Sequence, residues 1–362
     1  MTHSRQRGFG LVELMISVTL GLLLSAAVIQ VFLASSTSSQ IQDSLAQVQE
    51  TGRFSMHFIA REVRMSGYMG CASRGLGRES EDNFRDAVEI IALPADAVNF
   101  TPQDMISGAN DVGDDNAWGA QPGTDVLILR RGSDSNARIE SATDDSATLV
   151  NISDNVAGFE QGDFVLLADC QKAAIFRVSN EPKKAGKGPT VLVHAEGEYN
   201  SQSRRNSGSF GPGAEILGLD EVRLFVRDTG RANDAGDPIS SLFLRRRGVG
   251  GGGVLGAAIE LVEGVENLQL LYGVDTNGDF SINQYLDASA ISANPGVTPN
   301  WGQVVSVKAQ LTVVANQGGV VGEDGSGDAQ RVIDINGNAV ANPDGRMRQV
   351  FTNVFALRNK LP

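Results

Sequence analysis

Residues Asp275-Thr276-Asn277-Gly278-Asp279 carry oxygen side chains at alternate positions, a spacing that lets Asp275, Asn277 and Asp279 converge on one Ca²⁺. An EF-hand-like loop asks for glycine at its sixth place and a carboxylate at its twelfth. Phe280 and Leu286 stand there, with Asp287 one step late. The same residues also suit a polar turn built on Asn277-Gly278. Gly248-Val249-Gly250-Gly251-Gly252-Gly253 has the glycine pattern of a dinucleotide-binding turn, but such a turn must open a helix whose amides hold the phosphate. Ala257 to Tyr272 reads as strand instead, so the glycines are expected to be a flexible connection. Lys183-Lys184-Ala185-Gly186-Lys187-Gly188 lacks the first glycine and the Ser/Thr of a phosphate loop and reads as a basic hairpin turn. Of the histidines, His3 and His57 fall near the start and only His194 lies deep in the chain. No Gly-x-Ser-x-Gly, HExxH or Cys/His cluster selects a catalytic group. The expectation is a protein that is not an enzyme and requires no cofactor, with Ca²⁺ the one candidate ion.

Glu13 is the other carboxylate set in a telling place. It interrupts an apolar run that extends from Leu14 to Ala34 behind the basic leader Arg5-Gln6-Arg7-Gly8. A charge at the centre of a membrane-spanning helix costs roughly 2.5–3.5 kcal/mol, so such groups are usually paired and functional. The run is too long for the core of an ordinary secretory peptide and suits a membrane-crossing helix. A plain signal anchor explains the length and the basic flank, but not an acid just behind Gly8-Phe9. No Lys or Arg occurs between Gly8 and Gly52, so the leader stays cytoplasmic and the rest is exported. In an oxidising exported compartment the two cysteines, Cys71 and Cys170, are most simply one disulfide. The net charge of −13 argues against nucleic acid as a partner.

The elements that must position these residues divide at about Gly67. Ile41, Leu45, Val48, Met56, Ile59 and Val63, with small Gly52 filling one step, recur at spacings of three and four. No proline precedes Pro94, so the pattern predicts one helix from Phe9 to about Met65, stopped by Gly67 and Gly70. A stalk-like coiled coil is the alternative, and it would need heptads sustained over more turns. Beyond Cys71 the pattern turns to short strands: 126–129, 148–152, 164–168, 174–178, 191–193, and the alternation of Val222, Leu224 and Val226. Val305, Val307, Ala309, Leu311 and Val313 alternate with Ser306, Lys308, Gln310 and Thr312, a half-buried strand. Stretches 75–86, 197–218 and 248–256 read as loops. The fold class is therefore α+β, a long N-terminal helix on a mostly antiparallel β-rich head.

The motif Gly8-Phe9-Gly10-Leu11-Val12-Glu13-Leu14-Met15-Ile16 resembles the class III signal of type IV pilins and pseudopilins, departing mainly at Gly10, where threonine or serine is usual. Residues 56–71, 261–273 and 350–359 resemble the spine end, signature strand and closing strand of PilW-type minor pilins. The resemblance implies a leader over 1–8, a transmembrane part of the spine over 9–34, its amphipathic periplasmic part over 35–66, and a head of one or two lobes over 67–362. It implies cleavage between Gly8 and Phe9 by a prepilin peptidase, methylation of the Phe9 amine, and pairing of Glu13 with a neighbour's terminal amine during assembly. Implied partners are other minor pilins, the major pilin and a large tip adhesin. The implied location is the inner membrane with the head periplasmic, then the pilus tip at the cell surface, in service of pilus assembly and twitching motility. A minor pseudopilin of type II secretion shares every feature of the spine. A membrane-anchored, calcium-dependent adhesive module is the reading from another class.

Overall fold

The computed structural model describes residues 10–71, 73, 88–94, 105–143, 148–201, 209–294, 296–318, 320–321, 332–333, 335, 337, 339–340 and 344–360. Leu11–Met65 form one unbroken helix, α1, 55 residues and roughly 80 Å long. The large apolar side chains from Leu11 to Leu33 are exposed, and the helix is long and apolar enough to cross a membrane. Farther along, Ser44, Val48, Thr51, Gly52, Ser55, Met56, Ile59, Ala60, Glu62 and Val63 are buried. The expected stripe is thus covered only in part: Ile41 and Leu45 remain 37% and 40% exposed, because the head begins to wrap the helix near Ser44. After Met65 the chain leaves the helix through Ser66 and a left-handed Gly67 (φ 75°), the expected stop.

Sixteen strands follow among the described residues. They are β1 (Val88–Ile90), β2 (Ile106–Ala109), β3 (Val126–Arg138), β4 (Leu149–Ile152), β5 (Phe164–Ala168), β6 (Ala173–Arg177), β7 (Thr190–Val193) and β8 (Glu215–Ala232). Then come β9 (Pro238–Arg247), β10 (Ile259–Glu263), β11 (Val265–Val274), β12 (Gln284–Leu286), β13 (Val304–Val314), β14 (Val332–Ile333), β15 (Ala339–Val340) and β16 (Arg348–Ala356). An eight-stranded sheet runs β1-β6-β5-β8-β3-β2, with β9 added to β8 and β10 to β9. A four-stranded sheet runs β12-β11-β13-β16, and β4-β7 and β14-β15 form two-stranded ribbons. All pairs are antiparallel except β1 with β6.

Two local expectations change. Residues 215–218 are not loop: they open β8, where Ile216 and Leu217 are buried between β5 and β3. Turn 183–188 does not close a hairpin, because β6 pairs with β5 and β1 while β7 crosses to β4. The loop expected over 75–86 lies outside the described residues.

The main core gathers α1 and both sheets around Val48, Met56, Ile59 and Val63 of the helix, Leu127, Leu224, Leu268, Leu270, Leu311 and Phe355. Burying such side chains yields about 1.5–3 kcal/mol each, which is why an amphipathic helix end stays docked. A separate cluster around Phe159, Val165, Phe176, Leu192 and Phe210 lies under the β4-β7 ribbon and does not touch the helix.

Candidate functional site: the spine and its clasp

At the exposed apolar end, Glu13 lies in the first turn of α1, and its Oε2 accepts the Gly10 backbone N–H at 3.1 Å. A carboxylate there suits the positive end of the helix dipole and one of its orphan amides. Leu11, Val12, Leu14, Met15 and Ile16 around it are exposed, so the acid is surrounded by apolar surface that needs covering. Gly8 and Phe9 lie outside the described residues.

At the other end, four contacts clasp the spine to the head. Gly52 faces Phe351 of β16, and a Cβ on Gly52 would fall inside the Phe351 ring. Gln47 Oε1 accepts the Asn316 amide at 3.2 Å. Glu62, 3% exposed on the helix, accepts from Arg131 of β3 at 2.7 Å and from Arg61 at 3.0 Å. Asn359 Nδ2 donates to the Ser66 carbonyl at 2.9 Å and reaches those of Arg64 and Met65 at 3.4 and 3.5 Å, closing the helix end with a side chain from the far end of the sequence. Ser66 Oγ also donates to Met105 O at 2.7 Å. The sequence pattern missed Glu62, Arg131, Phe351 and Asn359. The available signal was Glu62, a carboxylate one step before Val63 on an otherwise apolar stripe.

Cys71 and Cys170 form the expected disulfide, Cα to Cα 4.8 Å. Cys170 sits in the tight turn between β5 and β6, where Asp169 N donates to Lys172 O at 2.9 Å. The bond therefore ties the chain just past the spine to the half of the head that the main core does not reach.

Asp275 is 6% exposed, and its Oδ1 accepts the amides of Asn277 and Gly278 at 3.2 and 2.8 Å while Oδ2 accepts that of Phe280 at 2.8 Å. Asn277 Nδ2 donates to Asp279 Oδ2 at 3.0 Å, and Asp279 Oδ1 accepts from Ser281 N at 2.8 Å, which holds the exposed Asp279 carboxyl below its usual range. The three candidate ligands do meet in one loop, and that loop is closed by its own amides. Among the described residues, no three His, Cys, Asp or Glu side chains converge as metal ligands.

The glycine run 248–253 is pinned, not flexible. Asp163, 1% exposed, accepts the amides of Glu160, Gly250 and Gly253 at 2.8, 2.7 and 3.2 Å. A carboxylate of the chain thus fills the nest of amides that a phosphate would need. His194 is fully buried, its ring 4.9 Å from that of Phe176, and Lys183 Nζ donates to Pro189 O at 3.0 Å.

Two ionic groups and one carboxyl without a cation lie inside the head. Burial pushes the Glu221 carboxyl up, but Arg130 and Arg223 on either side, each 2.7–2.8 Å away, hold it below its usual range. Asp344 and Glu266 both bridge to Arg348; burial opposes ionisation of Asp344, yet the guanidiniums of Arg348 and Arg346 bring its carboxyl well below the normal range. Asp125, 1% exposed, has no such cation: burial pushes it up to about 6 against the pull of the Asp111 and Leu270 amides it accepts at 2.8 and 2.7 Å. That carboxyl, one residue ahead of β3, joins the start of β3 to β11, one sheet to the other.

Residues 3–29 match the prokaryotic N-terminal methylation motif, and residues 225–359 match the family described as Type IV Pilus-assembly protein W. The second match runs from β8 to Asn359 and so contains the four-stranded sheet, Phe351 and the side chain that caps the spine. No curated protein and no solved structure matches the chain.

Proposed function

We propose that this chain, which matches PilW and the N-terminal methylation motif at its two ends and so fits a PilW-type minor pilin, is processed by prepilin peptidase and joins a minor-pilin complex that primes type IV pilus assembly. Cleavage falls between Gly8 and Phe9, and the new Phe9 amine is methylated. Residues 9–34 hold the subunit in the inner membrane, 35–66 continue the spine into the periplasm, and 67–362 form the periplasmic head. When helices bundle, Glu13 neutralises the terminal amine of a neighbouring subunit, since each charge left unpaired in a low-dielectric core is so costly. Other minor pilins, the major pilin and a large tip adhesin are the partners, and the assembled subunit stands at the pilus tip. The role is structural.

One observation carries this reading: an exposed apolar helix continues without a break into the helix that the PilW-matched sheet clasps. A subunit drawn from a membrane into a filament must transmit force from spine to head, and this one has a continuous rod for it. The PilW match supports the pilus over a secretion pseudopilin. Deletion of the gene tests both: surface pili should be lost while type II secretion persists, and the reverse result would overturn the assignment.

A further inference from the structure

The outer strands of a sheet expose unpaired amides and carbonyls, and proteins blunt them by shortness, charge, proline or bulges. Most outer strands of this head are blunted. β1 has three residues, β2 four and β12 three. β10 has a register shift between Glu260 and Val262 and carries Glu260 and Glu263. β16 is the exception among the described residues. It is nine residues long, pairs with β13 in continuous register from Arg348 to Ala356, and beyond Arg348 has neither charge nor proline. Thr352, Asn353 and Val354 at its centre are exposed, Val354 to 47%.

The direction of its free groups is also fixed. Leu357 N donates inward to Val305 O at 2.9 Å, whereas Val354 N bonds only to the side chain of its neighbour Asn353, at 2.9 Å. Alternation then points the Thr352 and Val354 amides away from β13.

We infer that β16 accepts an extended, uncharged segment of another filament subunit as a fifth strand beside the spine. Its side chains would alternate, apolar toward the side where Phe351 meets the helix and polar on the wet side of Thr352. A second copy of this chain does not fit. β16 runs in the direction of α1, from Phe351 at Gly52 to Asn359 past Ser66. Two-fold pairing of β16 with itself would set the spines antiparallel, whereas chains anchored in one membrane stand parallel. The inference rests on the pilin reading for the identity of its partner.

The test places a photo-crosslinking amino acid at position 354 of the full chain in piliated cells and identifies the adduct peptide by mass spectrometry. The expected adduct is a neutral, extended segment of a different filament subunit. Thr352→Pro removes one outward amide outside the β13 ladder, and should reduce the adduct about tenfold, the worth of roughly one hydrogen bond in an exchange of this kind. Thr352→Lys, which keeps the backbone and sets a charge that an uncharged added strand would have to desolvate, should also reduce it, and an unchanged thermal unfolding transition reports that each variant folds. An adduct with a second copy, an adduct indifferent to both substitutions, or no adduct while pili still depend on this chain would each overturn the inference. If pili do not depend on the chain at all, the pilin reading fails instead.

Discussion

Gly52 of the spine and Phe351 of β16 occupy one another's space: the ring lies where a Cβ on residue 52 would stand. The closing strand approaches the helix this closely because residue 52 has no side chain. Gly52→Leu should therefore overpack the contact and cost about 1–3 kcal/mol, despite removing a poor helix former. Phe351→Ala, which opens a cavity, should cost about 3 kcal/mol. The double variant should be less destabilised than the sum, and thermal unfolding of the four proteins measures the coupling. Additivity would show that the two residues do not act as a unit.

Glu62 is a buried carboxylate with one exposed and one well-covered guanidinium. Glu62→Gln leaves Arg131 without its counter-ion and should destabilise by roughly 3 kcal/mol. Replacing both Glu62 and Arg131 with methionine should recover most of that loss. Denaturant midpoints decide it.

Asp125 should give the head an unusual pH response. Its folded value of about 6 lies above the ordinary 3.8, so its contribution to stability is full below about pH 4 and is lost as pH rises through 6. Asp344 and Glu221, held low, act in the opposite sense and lose their contribution on acidification below about pH 4. Stability should thus fall between about pH 4 and 6 by up to about 3 kcal/mol from this one group. Asp125→Asn should flatten that part of the profile in unfolding measured across pH 4 to 8.

For the assembly end, Gly8→Val should leave the protein unprocessed, and N-terminal sequencing of wild type should begin at Phe9. Glu13→Leu should insert and be cleaved normally, yet fail to co-purify with other minor pilins. Glu13→Asp should be intermediate, because the charge persists on a side chain one methylene shorter. Wild-type co-purification and pilus counts for Glu13→Leu would remove Glu13 as the assembly contact.

The loop 275–281 should be held by Asp275 with or without an ion. Asp275→Ala strips three amides of their acceptor and should lower the unfolding temperature equally in calcium and in chelator. A calcium-dependent difference in the wild type would instead mark an ion site at Asp275, Asn277 and Asp279.

Much of this architecture was legible in the chain alone. The 3.6-residue period and the absence of proline predicted one unbroken spine ending at about Met65, where α1 ends. Short apolar runs between turn residues, and the two-residue period in β8 and β13, located most strands, and an exported chain with two cysteines implied their bond. These are local signals, set by how one segment repeats and which of its faces is apolar. What the tertiary structure alone decided was non-local. Nothing in the apolar pattern said that β7 would leave β6 for β4, or that β8 would be shared by β5 and β9 along one edge. Nor did it say that Asp163 would occupy the glycine nest, or that Phe351 and Asn359 would close on a helix nearly three hundred residues earlier. Periodicity states that a face must be buried; which partner buries it depends on shape, charge and hydrogen-bonding groups brought together only when the chain has folded.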